Sequence, residues 1–182
     1  MLDVGCATGL FLETAKRRGY EVFGVEISEY AVRHMTESIG SQVFMGELKE
    51  ARFSDGFFDI ITMWDILEHL QDPVQVMREA NRILRRDGII VIETVNTSCL
   101  NAKLLGARWP LYAPPYHIFY FSVDTLTALL SKSGFHIFKV EPIQTYSPFH
   151  SHKAIRYFDK SSVIRKALKR FFGDVLLVVA RK

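Results

Sequence analysis

The sequence predicts an α/β fold, a mostly parallel sheet with helices on both faces, and three observations carry that prediction. Short apolar runs alternate with segments of helical period along the first 95 residues. A glycine-rich turn, Gly5-Cys-Ala-Thr-Gly9, joins the first strand pattern directly to the first helix pattern. The run beginning Gly88-Ile-Ile-Val-Ile reads as a strand buried on both faces, as in a sheet covered by helices on each side.

Taken in order, residues 2–4 read as a strand, 10–18 as a helix stopped by Gly19, and 20–27 as a second strand. Ser28 is a cap for a helix over 29–38, and 42–45 is a third strand. The Asp55-Gly56 turn precedes a fourth strand over 57–64. Pro73 opens a helix that lines up Val74, Met77, Ala80 and Leu84 and stops at Asp87-Gly88. Residues 89–95 form the fifth strand. Regularity then breaks: 98–109 reads as a short helix, and 110–120 (PLYAPPYHIFY) is aromatic and proline-rich without a period. Ser122 and Asp124 cap a helix over 125–133 closed by Gly134, and 135–140 and 175–180 are the last two strands. A basic helical pattern over 161–172 separates them. The total is seven strands in one domain spanning 1–182, with 96–121 as an insertion or lid on the substrate side.

Composition bounds the function. A chain of 182 residues that is 48% hydrophobic supports one sizeable core. The formal charge of +3 arises from interleaved acids and bases, and no aromatic–basic pattern suggests nucleic acid. Two cysteines, Cys6 and Cys99, make no disulfide framework, which points to a reducing cytoplasm. The start has no basic-then-apolar leader, and the apolar stretches are far too short to span a bilayer. The segment 153–170 carries Arg156, Lys160, Arg165, Lys166 and Lys169 against Asp159 alone, beside Phe171 and Phe172. It reads as a solvated helix face, or as a peripheral contact with anionic lipid or a phosphorylated substrate.

The glycine turn suits two cofactor classes. A dinucleotide fingerprint needs glycines where this chain has Ala7 and Leu10, so that reading fails at two of three positions. S-adenosylmethionine carries a sulfonium, an ammonium and a carboxylate instead of a pyrophosphate, and Asp3, two places before Gly5, suits it. Glu26, at the end of the second strand with Ile27 behind it, offers two oxygens to a ribose cis-diol, or is simply a solvated acid at a strand end. Gly46 and Glu47 follow the third strand, where Glu47 accepts from an adenine amino group and Leu48 packs on the ring. Trp64 and Asp65 end the fourth strand, near the methionine end. One ligand lying across four adjacent strand ends requires these residues in this order.

With LDVGCATG, GVEIS, the Gly46-Glu47 step, FDIITMWDILEHLQDP, LRRDG and IIVIETVN in place, the sequence resembles the class I S-adenosylmethionine-dependent methyltransferases over its whole length. Within that superfamily, WDILEHLQDP and PPYHIFYFSVDTLTALLSKSGF are similar to a broad subgroup that includes quinone-biosynthesis O-methyltransferases and many bacterial small-molecule methyltransferases. The resemblance implies a Rossmann-like seven-stranded sheet whose last strand is antiparallel. It also implies a cofactor site formed by Asp3, Gly5, Cys6, Ala7, Gly9, Glu26, Ile27, Gly46, Glu47, Leu48, Trp64 and Asp65. Ala7 stands where the family usually has glycine. The family usually carries a further N-terminal segment that completes the first strand and packs a helix over the cofactor, and without one the site is expected to be open.

Methyl transfer to oxygen needs a group that takes the proton. The candidates are His69 and His117, and the resemblance places His117, with Tyr116, at a substrate pocket; the bland reading is a proline-rich lid whose aromatics pack on the sheet. Asp65, Glu68 and His69 at i, i+3 and i+4 could hold a divalent cation, although they read first as ties between a helix start and its neighbours. Asn96 either orients a substrate or makes a turn. The function expected is methyl transfer to a small-molecule acceptor on oxygen. The alternative is a cofactor-binding module without turnover that needs a partner or an upstream segment, and a dehydrogenase is opposed by Asp3, Ala7 and Leu10.

Overall fold

The computed structural model describes residues 1–35, 39, 42–143 and 173–182. The strands are β1 (Leu2–Val4), β2 (Phe23–Glu26), β3 (Val43–Met45), β4 (Phe58–Trp64), β5 (Leu84–Val95), β6 (His136–Ile143) and β7 (Val175–Arg181). The helices are α1 (Leu10–Arg17), α2 (Glu29–Arg33), α3 (Pro73–Ile83), α4 (Leu100–Leu105) and α5 (Val123–Lys132), with 3-10 turns at Leu67–His69 and Gly106–Arg108. They form one seven-stranded sheet of order β3-β2-β1-β4-β5-β7-β6. Its first four pairings are parallel, and β7 runs antiparallel between β5 and β6, as expected.

Local chemistry explains the boundaries. The Asp72 carboxylate accepts from Gln75 N at 2.9 Å and Pro73 supplies the first helical residue of α3. This start sets the phase of the helix: Pro73, Met77, Ala80 and Ile83 face the core. Val74, expected on that face, lies one step round the helix and is exposed. Leu84 is buried, but as the first residue of β5. The helix expected over 98–109 breaks at Gly106 into α4 and a 3-10 turn. Ser122 and Thr125 form a reciprocal capping box that opens α5.

The main core packs Ile61, Met63, Ile90, Ile92, Leu176 and Val178 of the sheet against Met77, Ala80 and Ile83 of α3 and Leu126 and Leu130 of α5. A smaller cluster joins Leu12 and Ala15 of α1 to Cys6, Val22 and Ile39. On that side of β5, Ile89, Val91 and Glu93 are only half-buried, so the expected burial of this strand on both faces holds fully for one. The helices of that side pack toward β2 and β3 instead. The basic segment over 153–172 lies outside the described residues. Among those described, no helix is long and apolar enough to cross a membrane.

Candidate active site

The glycine turn closes on itself through backbone alone. Gly5 N and Cys6 N donate to Val25 O at 2.8 and 3.3 Å, and Gly9 N donates to Cys6 O at 2.9 Å. Gly5 has φ +74°, and a Cβ built on it would lie 2.5 Å from Ile66 Cδ1. Only glycine can hold both that conformation and that contact. Ala7 also sits in the left-handed region, at φ +47°, where the family's usual glycine would carry no strain.

Glu26 is the polar centre of the arrangement. It is 8% exposed, its Oε2 accepts from Ala7 N and its Oε1 from Ser28 N, each at 2.8 Å. One carboxylate therefore ties the glycine turn to the start of α2. A carboxylate has about four lone-pair directions, so each oxygen keeps capacity for a further donor. Glu26 lines a cavity of about 280 Å³ together with Gly5, Ile27, Gly46, Glu47, Leu48 and Ile66. This brings together six of the twelve cofactor residues expected from sequence.

The other six stand around the cavity without lining it. Asp3 is buried beneath the turn, where Thr62 Oγ1 donates to its carboxylate at 2.6 Å. Burial pushes the Asp3 carboxyl up to about 7, against the lowering effect of the Thr62 bond and with a raising contribution from Glu26. The Cys6 side chain points into the α1 core, and burial beside Asp3 and Glu26 pushes its thiol up to about 12. Cys6, Ala7 and Gly9 serve the site through backbone geometry. Trp64 meets Phe11 edge-on at 5.2 Å. Asp65 adopts φ +50° at the end of β4, its N donating to Glu93 O at 3.1 Å.

A second group of side chains converges beside Asp65. His69 Nδ1 lies 2.8 Å from Tyr116 O, and His117 Nδ1 lies 2.9 Å from Leu111 O. A carbonyl only accepts, so each Nδ1 carries a hydrogen, and the Nε2 of each ring is the nitrogen not engaged by these bonds. The rings meet at 4.8 Å, 75° apart. Glu68, 1% exposed, accepts from Thr94 Oγ1 at 2.8 Å, and its backbone carbonyl takes Ile118 N and Phe119 N at 2.8 and 3.0 Å. These bonds hold the 110–121 segment against the 3-10 turn after β4. Glu68, His69 and His117 each offer a ligand atom within 4.8 Å of the other two. His117 thus stands where the sequence spacing suggested Asp65 as the third member.

A strand-turn-helix with buried acid, glycine turn and cavity at the parallel strand ends matches a known family. The model of the methyltransferase domain aligns with residues 1–140. The chain belongs to the methyltransferase domain family. Among curated relatives it is 28% identical to a probable S-adenosylmethionine-dependent methyltransferase of Mycobacterium tuberculosis over 136 residues, covering 74% of this chain and 48% of that protein. A ubiquinone biosynthesis O-methyltransferase of Pseudomonas paraeruginosa is 32% identical over 124 residues, covering 63% of this chain and 53% of that one. The chain spans about half the length of these relatives. Among solved structures, a SAM-dependent methyltransferase from Archaeoglobus fulgidus superposes with TM-score 0.73 at 25% identity, covering 100% of this chain and 85% of that one.

Within this methyltransferase domain, two residues expected at the acceptor have hydrogen-bond roles in the fold. Asn96 is 2% exposed, its Nδ2 donates to Gly173 O at 2.7 Å and its Oδ1 accepts from Ser98 N at 2.9 Å. That is the turn role, joining the end of β5 to the entry into β7. Tyr116 is 76% exposed and contributes its carbonyl to His69. Sequence reasoning missed Ile66, which closes over Gly5, and Thr62, which fixes Asp3. It also missed Glu93, whose carboxyl is pushed up by burial, Asp65 and Glu68. A carboxylate in an apolar strand next to the Trp64-Asp65 strand end was the available signal for Glu93.

Proposed function

We propose that the chain binds S-adenosylmethionine across the carboxyl ends of β1 to β4 and transfers its methyl group to a hydroxyl of a small-molecule acceptor. The observation that supports this best is Glu26, a buried acid that bridges the glycine turn and α2 and still presents its oxygens to the cavity. The residues present fit the cofactor: bare backbone at Gly5, Glu26 for the ribose hydroxyls, and buried Leu48 as an apolar wall for adenine, with Glu47 beside it. When bound, the cofactor supplies an electrophilic methyl group. Asp3 and Thr62 brace the turn from below.

Positioning of the nucleophile does most of the work in such a displacement. With Nδ1 of His117 and of His69 each bonded to a carbonyl, Nε2 is the ring atom left to take a proton, and one of them accepts that of the methyl acceptor. Asp65 lies close enough to both rings to stabilise the imidazolium formed, and they in turn lower its own carboxyl against the raising effect of burial. The same Nε2 atoms with the Glu68 carboxylate are a donor set that a divalent cation of the zinc or manganese type accepts. That second reading replaces proton abstraction by polarisation of the hydroxyl.

The testing experiment is a calorimetric titration with S-adenosylhomocysteine, using NADH as control. Saturable binding of the first alone supports the reading, and failure of both sinks it. Cofactor binding with no methyl transfer to any acceptor would favour the module without turnover. Addition of a chelator during an acceptor screen separates the base from the metal: undiminished transfer excludes the cation.

A further inference from the structure

A second cavity, about 330 Å³, is lined by Thr97, Ala102, Lys103, Gly106, Trp109, Tyr112 and Tyr120. A chain of ring contacts leads from its wall to the proposed transfer point. His69 meets His117, His117 meets Tyr120 at 5.9 Å, and Tyr120 meets Tyr112 at 5.2 Å with the planes 31° apart. Tyr120 is held by its hydroxyl, which accepts from Ala113 N at 3.0 Å. The space exists because Ala102 and Gly106 are small, and a Cβ at Gly106 would meet nothing within 4 Å.

Charge distinguishes the two ends of this path. The wall at the histidines is acidic, with Asp65, Glu68 and Glu93 electrostatically coupled to one another. The segment 96–121 contains Lys103, Arg108 and His117 and no acid at all. Among the described residues the Lys103 ammonium has no ion-pair or hydrogen-bond partner. Trp109, also in the lining, is 3% exposed, and its indole N–H donates to nothing among the described residues. Flat aromatic walls favour a flat ring, and the accessible Lys103 ammonium in the lining favours a ligand that carries negative charge.

We propose that this cavity binds the non-reacting end of the methyl acceptor, and that this end is a flat apolar ring bearing a carboxylate or similar anion. The inference rests on the proposed methyl transfer for its account of the other end, but not for the cavity itself. Remote binding of this kind orients the reacting hydroxyl without touching it.

Trp64 and Trp109 are the only tryptophans, so in a chain carrying Trp64→Phe the emission of Trp109 reports on this cavity alone. The probes are cinnamate and its neutral isostere cinnamamide, titrated with excitation restricted to indole. Saturable quenching by cinnamate, with cinnamamide at least fivefold weaker, is the expected result. Lys103→Met should bring the two probes within twofold of each other, and Ala102→Phe should abolish both responses by filling the space. Equal binding of the two probes, no quenching by either, or cinnamate binding unchanged by Lys103→Met would overturn the proposal. Calorimetry with S-adenosylhomocysteine on the corresponding proteins that retain Trp64 keeps the two readings apart. Cofactor binding without a cinnamate response sinks the cavity alone, and a cinnamate response without cofactor binding sinks the methyltransferase reading alone.

Discussion

Ala7 holds a conformation that costs an L-residue roughly 1–2 kcal/mol and a glycine little. Its φ of +47° is fixed from both sides, by the glycine turn and by the bond from its N–H to Glu26. Ala7→Gly should therefore stabilise the chain by about 0.5–1 kcal/mol, the strain relieved minus the extra freedom gained by the unfolded state. Urea denaturation measures it, and a loss of stability would show that the strain is absent. Asp3 gives a second residue-level test. Its carboxyl lies at about 7 when folded against 3.8 for the unperturbed group. The folded state thus binds that proton more tightly, and the contribution is complete near the lower value and lost as pH rises through the upper one. Stability should fall between about pH 4 and pH 7, and Asp3→Asn should flatten the fall by about 4 kcal/mol. Denaturation midpoints across that range are the readout, and an unchanged slope would show that Asp3 is ionised without penalty.

At the scale of elements, the 3-10 turn after β4 and the 110–121 segment act together. Three hydrogen bonds, two to Glu68 O and one from His69 to Tyr116 O, fix their relative position. His117→Ala and His69→Ala should each leave the affinity for S-adenosylhomocysteine within about twofold. The one that removes the base should lower methyl transfer by about 10² to 10⁴. Single-turnover rates decide between them, and undiminished rates in both variants would exclude the histidines. The pairing of His69 with His117 was not legible in the sequence, because two helices, a strand and part of the aperiodic 110–120 stretch lie between them and no local rule places them side by side. The strand ends were legible: Gly5, Glu26, Gly46 and Leu48 each follow an apolar run that only a parallel sheet brings to one edge. Position in the order did not say which of these residues face the cavity. Cys6 and Asp3 were read with the cofactor residues; the Cys6 side chain packs in the α1 cluster, and the Asp3 carboxylate is buried and accepts from Thr62. Asn96 was readable as a turn residue from its type, and the structure gives its amide the hydrogen bonds of one.

Across the whole molecule, Asn96 links regions far apart in sequence. Its backbone N–H donates to Asp174 O at 2.8 Å and its side chain to Gly173 O, which fixes the entry of β7 beside the end of β5. Asn96→Ala leaves a buried carbonyl and a buried amide short of partners and should destabilise the fold by about 2–3 kcal/mol. Because Asn96 lines neither cavity, affinity for S-adenosylhomocysteine in the folded variant should not change. Thermal unfolding with and without that ligand measures both, and a stable variant with lost affinity would return Asn96 to the binding site.

The place of β7 in the sheet has a consequence for biosynthesis. Among the described residues β6 pairs only with β7, which is made after it. On the ribosome, where chains grow at about 5–20 residues per second, β6 emerges before the one strand that accepts its backbone bonds among the described residues. Until β7 slots in beside β5, the nascent chain carries an open strand bearing the apolar residues Ile137, Phe138 and Val140. An unpaired edge of that kind recruits other strands. The interval before synthesis reaches Arg181 is therefore the period in which this protein is most exposed to aggregation and most in need of a chaperone.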